Sequence, residues 1–347
     1  MTRFPLVLLV VIVSLSAVSA QRGGEHSFQF LELAGSPRVA AIGGSFLPQQ
    51  DHDALLAMHH PALINEEMHG QIGFTFLDHY AGITGGNVAY SRTHEQFGSY
   101  LASIRFMHYG TFQRTDDAGM EQGTFTAADI ALGLGWGREL HPGFRLGADL
   151  QMILSSYDVW SSFALGVNVS GHYTSESELF DAALLIRNAG RQLDRFGDVR
   201  ESLPFDIAGG ISRKLPHAPF RFYLLLNTLH MWDLTYHDPL NPRTTTDPIT
   251  GEVKEPSKAV DFLDKAMRHV VGGVELAPGE VIRLRLGYNY RLRQEAGVQS
   301  TMGMVGFSWG VGLKLGRYQF DFSRTRNHMA GAPNFFSVTT NLNRFGS

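Results

Sequence analysis

From Gln71 to the end of the chain, apolar residues alternate with small or polar ones. In the stretch FRLGADLQMIL, which begins at Phe144, one face carries apolar residues, while the other carries Arg145, Asp149 and Gln151. Successive side chains of a strand point to opposite faces, so the pattern predicts strands with one apolar face. Many stretches run about 10–13 residues, whereas strands of soluble proteins most often have about 5–6 and about 9–11 cross a bilayer at a tilt. We therefore predict a transmembrane β-barrel; the alternative is a soluble all-β protein.

The same pattern predicts fourteen strands, an even number that suits an antiparallel barrel. The predicted strands are 71–80, 84–93, 98–109, 125–139, 144–157, 161–173, 180–188, 204–214, 219–229, 268–277, 281–293, 302–314, 318–326 and 335–345. Every second connection is short, and the long ones are 110–124, 189–203, 230–267, 294–301 and 327–334. Outer-membrane barrels have short periplasmic turns and longer outer loops. We therefore expect an all-β, 14-stranded antiparallel transmembrane barrel with long loops outside and both termini periplasmic.

Aromatic residues near the ends of these stretches are expected to form girdles at the two membrane interfaces. They are Tyr80, Tyr109, Tyr157, Trp160, Tyr173 and Tyr290.

Residues 1–20 combine a basic start, the apolar run PLVLLVVIVSL and small residues at Val18 and Ala20. This composition is typical of a secretory signal peptide that is cleaved before Gln21. The run is too short for a membrane anchor, which needs about 20 apolar residues. The chain contains no Cys, which excludes disulfides and thiolate metal sites.

Residues 21–70 lack the strand pattern and are predicted to form an N-terminal plug. Within the plug, DHDALLAMHH predicts a short helix that begins at Asp51 or Asp53. Residues 71–347 then form the transmembrane barrel.

Three acidic residues, Asp116, Asp117 and Glu121, lie between two predicted strands. A calcium loop needs oxygen ligands at alternate positions, and adjacent aspartates on an extended backbone point in opposite directions. We interpret the segment as a solvated loop, not as a calcium site or a pair of catalytic carboxylates.

Three histidines, His52, His59 and His60, form the densest group of potential metal ligands. Their spacing matches no known zinc site, so a polar plug surface is the preferred interpretation. The glycines of GLGWG (133–137) lie inside an alternating strand, so they are expected to leave space in the lumen, not to bind phosphate. We expect no metal, no cofactor and no enzymatic activity.

Six charged residues are predicted to face the lumen. They are Arg145, Asp149, Arg283, Arg285, Arg291 and Lys314. Charges inside barrels commonly pair with one another, so interior ion pairs are favoured over a polar channel lining.

Several segments resemble the PorQ family, outer-membrane proteins of the type IX secretion system of the Bacteroidota. They are FLELAGSPRVAAIGG (30–44), HHPALINEEM (59–68), GTFQRTDDAGMEQGTFTAAD (110–129), SLPFDIAGGISRKLPHAPFRFYLLLNTLHMWDLTY (202–236) and LDKAMRHVVGGVEL (263–276). The resemblance covers nearly all of the mature chain. It implies a barrel related to the PorV and FadL barrels, with fourteen strands and an N-terminal plug.

The resemblance further implies a non-catalytic scaffold subunit of the cell-surface attachment complex, which processes secreted cargo and anchors it to lipopolysaccharide. The implied partners are a PorV-type barrel, a PorU-type sortase and a PorZ-type surface protein, together with outer-membrane lipid and lipopolysaccharide. Nucleic acid is not expected as a partner, because the net charge is −4 and there is no polybasic block.

Loops 110–124 and 230–267 are the candidate partner-contact loops, because aromatic residues are favoured in interface cores. The candidate residues are Asp116, Asp117, Glu121, Trp232, Tyr236 and Phe262. The second loop also contains a predicted short helix at AVDFLDKAMRH, and a lid over the barrel mouth is the open alternative. The competing function is a FadL-like transporter of hydrophobic small molecules, for which inward-facing Tyr223, Leu225 and Leu229 would leave room.

Overall fold

The computed structural model describes residues 27–197, 200–235, 245–246, 253–254, 257–296, 303–326 and 331–345, so the predicted signal peptide lies outside the described residues. Fourteen antiparallel strands form one closed barrel in which each strand pairs with the next and the last pairs with the first. The strands are β1 (Gln71–Asp78), β2 (Thr84–His94), β3 (Gly98–Thr115), β4 (Glu121–His141), β5 (Phe144–Tyr157), β6 (Trp160–Thr174), β7 (Phe180–Asp194), β8 (Asp206–Lys214), β9 (Phe220–Leu226), β10 (Val270–Leu276), β11 (Ile282–Asn289), β12 (Phe307–Leu315), β13 (Tyr318–Thr325) and β14 (Asn334–Asn341). The predicted fold class and strand number are confirmed.

Four α-helices accompany the barrel: α1 (Pro37–Ile42), α2 (Ala54–Ala57), α3 (Lys258–Met267) and α4 (Tyr290–Ala296). None of the helices in the described ranges is long and apolar enough to span a membrane. Helix α3 confirms the helix predicted in the 230–267 loop. Helix α4 was not predicted: the predicted strand 281–293 ends at Asn289, and the chain turns into a helix there.

The alternation places apolar side chains outside and small or polar ones inside. In β5, Leu150, Met152 and Leu154 are 44–46% exposed, whereas the polar Asp149, Gln151 and Ser155 on the other face are buried. A barrel whose outer face is apolar fits contact with lipid hydrocarbon.

The two ends of the barrel differ. At the turn end, where Gln71 pairs with Asn341, short turns join the strands. At the loop end, where Asp78 pairs with Asn334, most of the connections are longer, and they include the segment from β9 to β10.

The wall is also unequal in height. Strands β3 and β4 have 18 and 21 residues, whereas β9 and β10 have seven each. The pairing of β2 with β3 ends where Thr84 meets His108, whereas β3 and β4 continue to pair with each other. Residues 110–126 therefore form a two-stranded hairpin that extends beyond the rim, and we call this hairpin the ribbon. The predicted long loop 110–124 is therefore wrong: most of it is strand, and only 116–120 form the turn. Gly110 and Gly123 lie at positive φ in this ribbon, next to shifts in the strand register. Such bulges interrupt the alternation of side chains, so the sequence pattern does not predict strands there.

The plug, residues 27–70, fills the lumen. It contains α1, α2 and three short 3-10 helices at Gln29–Glu32, Pro61–Leu63 and Glu66–Met68. Of the two predicted starts for the second helix, the structure selects Asp53, whose carboxylate accepts a hydrogen bond from Leu55 N at 3.0 Å.

Glycines on the inner wall allow the plug backbone to approach closely. A Cβ at Gly147 would lie 2.2 Å from the carbonyl carbon of Pro61, and one at Gly287 would lie 2.1 Å from the backbone of Ile42. In the GLGWG segment, a Cβ at Gly137 would lie 2.6 Å from the carbonyl oxygen of Ile64. These glycines leave space for the plug, as the sequence predicted.

The described chain begins and ends at opposite ends of the barrel. Residues 27–30 lie at the loop end, where they line a cavity with His79 and Tyr80. Asn341 lies at the turn end, where its side chain donates to the carbonyl oxygen of His69. The plug therefore enters β1 from the turn end after it has crossed the lumen. Both chain termini lie outside the described residues, so their expected periplasmic position stays a prediction.

Candidate functional site

A cavity of about 690 Å³ lies at the loop end of the lumen. Its floor is the start of the plug, including Phe28, Phe30 and Gly43, and its walls are the loop-end residues of the strands and their connections. Pockets that bind small molecules typically occupy about 300–1,000 Å³. The cavity is therefore large enough for a drug-sized molecule.

The lining of this cavity is divided into two halves. One half is apolar and contains Phe28, Leu33, Ile83, Met107 and Phe335. The other half is polar, and an amphipathic occupant would suit this division.

The polar half centres on an ion pair between Arg187 and Asp206, where β7 and β8 make their last pair. Asp206 also accepts from Thr228 N at 2.9 Å. Arg291 reaches Thr228 Oγ1 at 3.4 Å and lies 3.8 Å from Glu295.

A buried carboxylate lies next to the cavity. Asp129 is fully buried and accepts hydrogen bonds from the hydroxyls of Tyr109, at 2.5 Å, and Tyr157, at 2.9 Å. Both tyrosines line the cavity, so they face the lumen and not an outer girdle. Their prediction as girdle residues is wrong, because both lie on the inward face, where they pair with Asp129.

The other predicted girdle residues differ among themselves. Tyr173 is 45% exposed on the outer face, which agrees with a girdle position. Trp160 is 55% exposed, but it pairs with Tyr157 and therefore lies on the inward face of the wall. Tyr290 begins α4 and donates its hydroxyl hydrogen to Asp264, and Tyr80 lines the cavity, so neither is a strand-end girdle residue.

Below the cavity, the plug is held by buried charges. Arg38 is fully buried and pairs with Asp51 at 2.6 Å and Asp53 at 3.2 Å. Arg105 of β3 donates to the carbonyl oxygen of Leu31 at 2.9 Å and contacts the ring nitrogens of His59. The ion pairs of Arg38 lie within the plug, whereas Arg105 joins the plug to the wall through polar contacts.

Two of the predicted lumen residues form ion pairs on the inward face of the strands. Arg285 is buried and bridges Glu275 at 2.6 Å and Asp321 at 2.7 Å. Arg145 lies 3.2 Å from Glu139 and also donates to the plug carbonyl of Ile64 at 2.7 Å.

The remaining four predicted lumen residues have other surroundings. Asp149 is buried and accepts hydrogen bonds from Gln151 and Asn168, both at 2.8 Å. Arg283 is half-buried on the inward face of β11. Arg291 lies on α4 beyond the end of β11 and lines the loop-end cavity. Lys314 is on the same face of β12 as the buried Ser308 but is exposed at the turn end.

The three histidines do not form one site. His52 is exposed beside Glu67 at 3.1 Å, whereas His59 contacts Arg105 and His60 lies 5.2 Å, between ring centroids, from His172. Across the described ranges, no group of three or more His, Cys, Asp or Glu residues could hold a metal ion.

The tip of the ribbon is organised by Asp116. Its carboxylate accepts from Ala118 N at 3.0 Å, from Met120 N at 2.8 Å and from Gln122 Nε2 at 3.0 Å. The hydrogen bond from Met120 N, followed by that from Gln122, lowers the pKa of Asp116. Asp117 and Glu121 are exposed.

The other candidate contact loop is described in part. Trp232 and Phe262 are 53% and 60% exposed, and their ring centroids are 5.2 Å apart. Tyr236 lies outside the described residues. Tyr223 and Leu225 face inward, as predicted, but they pack against the plug and do not leave room for a pocket there. Leu229 is 43% exposed because it lies beyond the end of β9.

Comparison with known proteins identifies the fold. The chain is similar to a mutant of the TodX monoaromatic hydrocarbon channel, with a TM-score of 0.50 and 10% identity over 90% of this chain and 100% of that one. It is also similar to the toluene transporter TodX of Pseudomonas putida, with a TM-score of 0.48 and 10% identity over 89% of this chain and 97% of that one. The KdgM porin aligns with a TM-score of 0.35 and 7% identity over 78% of this chain and 98% of that one.

No protein-family model matches the sequence, and no curated protein does. The fold is thus that of 14-stranded outer-membrane barrels.

Proposed function

We propose that this chain is a non-catalytic outer-membrane barrel that serves as a scaffold subunit of the type IX attachment complex. The proposal combines the sequence resemblance to the PorQ family with one structural observation, which is that the plug fills the lumen below the loop-end cavity. A plug that fills the lumen and contains buried ion pairs leaves little path for solutes. Such a barrel is better suited to present surfaces to partners than to conduct solutes.

The ribbon is the surface that we assign to partner contacts. It extends beyond the rim, and Asp116, Asp117 and Glu121 lie at its tip. In this proposal the loop end faces outside, toward a PorU-type sortase and a PorZ-type protein, while a PorV-type barrel is a neighbour in the membrane.

The test is affinity purification of the tagged protein from mildly solubilised outer membranes, followed by mass spectrometry. We expect a second barrel and a sortase-like protease to co-purify, and a variant with Asp116→Asn, Asp117→Asn and Glu121→Gln to lose the protease. The matched control is Glu176→Gln, an exposed acid in a turn at the opposite end. Recovery of the barrel alone from the unaltered strain would refute the scaffold proposal.

The second candidate function is transport of hydrophobic small molecules, and the loop-end cavity is the observation that favours it. Organic extraction of the purified protein and mass spectrometry of the extract would test this candidate. A stoichiometric apolar ligand that disappears when Met107→Trp fills the apolar half of the cavity would support transport. An empty extract would count against it.

A further inference from the structure

Helix α3 is amphipathic, but its apolar side faces away from the protein. Val260, Phe262 and Leu263 are 59%, 60% and 61% exposed. The partly or fully buried positions include the charged residues Asp264 and Arg268. A surface helix of a water-soluble protein shows the opposite arrangement, with its apolar stripe on the core.

Polar contacts fix this orientation. Asp264 accepts from the hydroxyl of Tyr290 at 2.9 Å and pairs with Arg268 at 2.9 Å. Lys265 lies 3.0 Å from Asp233, in the segment after β9, and 2.8 Å from Asp261. Turning the apolar face inward would break these contacts, so the outward apolar face is a property of the packed helix.

The wall below α3 is too short to cross a membrane. Strands β9 and β10 have seven residues each, which at about 3.3 Å per residue and a tilt of about 40° rise roughly 18 Å. The apolar band of an outer-membrane barrel is about 25 Å tall. With fourteen residues, β5 exceeds that height on the other side of the barrel.

Helix α3 lies at the rim where the wall is short. Its last turn is connected to the loop end of β9, because His269 Nδ1 lies 2.9 Å from the carbonyl oxygen of Asn227. The outward apolar face of β9 and β11 leads up to this rim through Leu226 and Leu286, which are 36% and 60% exposed. The apolar face of α3 therefore continues the apolar belt of the strands.

We infer that the apolar face of α3 contacts the acyl chains of the outer leaflet and completes the lipid-facing surface above the short strands β9 to β11. Trp232, whose ring packs on Phe262, adds to this surface an amphipathic indole of the kind that lies at a membrane interface. The inference rests on the proposed location in the outer membrane. In this inference Phe262 and Trp232 contact lipid, and the partner contacts are made by the ribbon.

The test uses the absence of natural Cys. Leu263→Cys, Leu286→Cys and Met120→Cys place a nitroxide label at positions that are 61%, 60% and 66% exposed in the structure. In lipid vesicles, electron paramagnetic resonance then compares accessibility to oxygen, which partitions into lipid, with accessibility to a nickel complex, which stays in water. Heat-dependent gel mobility confirms that each variant is a folded barrel, and Val260→Cys replaces Leu263→Cys if that variant does not fold.

We expect the ratio of oxygen to nickel accessibility at Leu263 to match the ratio at Leu286 and to exceed that at Met120 severalfold. A ratio at Leu263 like that at Met120 would place α3 in water and overturn the inference, and it would leave this face open to a partner protein. Low accessibility to both reagents would also overturn it, because the face would then be covered by protein. If Leu286 itself is accessible to nickel, the membrane location fails as well.

Discussion

Arg38→Met should loosen the plug without affecting the barrel. Arg38 is fully buried between Asp51 and Asp53, so the substitution leaves two carboxylates without their cation. Removing one partner of a buried ion pair typically costs about 3–5 kcal/mol. Since about 1.4 kcal/mol changes an equilibrium tenfold, the open form of the plug should increase roughly a hundred- to several-thousand-fold.

A single Cys in the plug measures this opening. Ala57→Cys lies in α2 and is 1% exposed in the closed plug. Its reaction with a water-soluble maleimide therefore requires local opening, and the rate follows the open population while closing is fast. The matched control is Lys314→Met, which removes an exposed cation at the turn end and should leave the rate unchanged.

A compensated variant separates charge from packing. If the cost comes from the unpaired carboxylates, adding Asp51→Asn and Asp53→Asn to Arg38→Met should restore much of the protection. A labelling rate in Arg38→Met equal to that of the parent would refute the view that this cluster holds the plug. No recovery in the compensated variant would show that shape, and not charge, is what matters there.

Three further outcomes follow from the same geometry. Gly147→Ala should displace the plug, since its Cβ would lie 2.2 Å from the carbonyl carbon of Pro61. Gly272→Ala should be tolerated, because its Cβ would meet no atom within 4 Å. Single-channel conductance, measured for both variants, tests this difference. Asp116→Ala should make the ribbon tip a protease site while the melting temperature of the barrel stays the same, because the bonds that it removes are confined to the turn. Partial burial raises the pKa of Asp233, but hydrogen bonds from Thr235 and the contact with Lys265 outweigh it and lower the pKa to about 2. The stability that Asp233 contributes to the packing of α3 is therefore fully present above the usual aspartate pKa of about 3.9 and is lost as the pH falls toward 2. Hydrogen exchange along α3 should record reduced protection at pH 2, and unchanged protection there would contradict this.

The alternation of residues predicts the number and order of the strands because a barrel requires the same inward and outward pattern in every strand. It does not predict where strands end. The alternation of Leu286, Tyr288 and Tyr290 continues past Asn289, but the side chain of Asn289 donates to the carbonyl oxygen of Gly43 and accepts from Leu292 N, which starts α4. That bond joins residues far apart in sequence, so no local pattern contains it.

The candidate site shows the same limit. The sequence predicts a short helix where α3 lies, but only the polar contacts with Asp233 and Tyr290 determine which face points outward. Similarly, Tyr109 is an aromatic residue at a strand end, and only its partner Asp129 shows that it faces the lumen. The cavity is formed by strand ends and by the plug, which are distant in sequence. No single segment therefore predicts the cavity.

The path of the plug limits how the two proposed functions could coexist. The plug starts beside the loop-end cavity and reaches β1 at the turn end, where Gly70 N donates to the carbonyl oxygen of Ser91. A segment that crosses the whole lumen and is tethered at the turn end cannot swing aside as a short lid would. Beyond the pair of Arg187 with Asp206, β7 continues to Asp194 without pairing to β8. In that region the segment before β8 contacts β7 through side chains, with Asn188 Nδ2 donating to the carbonyl oxygen of Pro204 and Glu201 N donating to Gln192 Oε1. Transport would therefore require the plug or this part of the wall to move, whereas partner binding would depend on the ribbon.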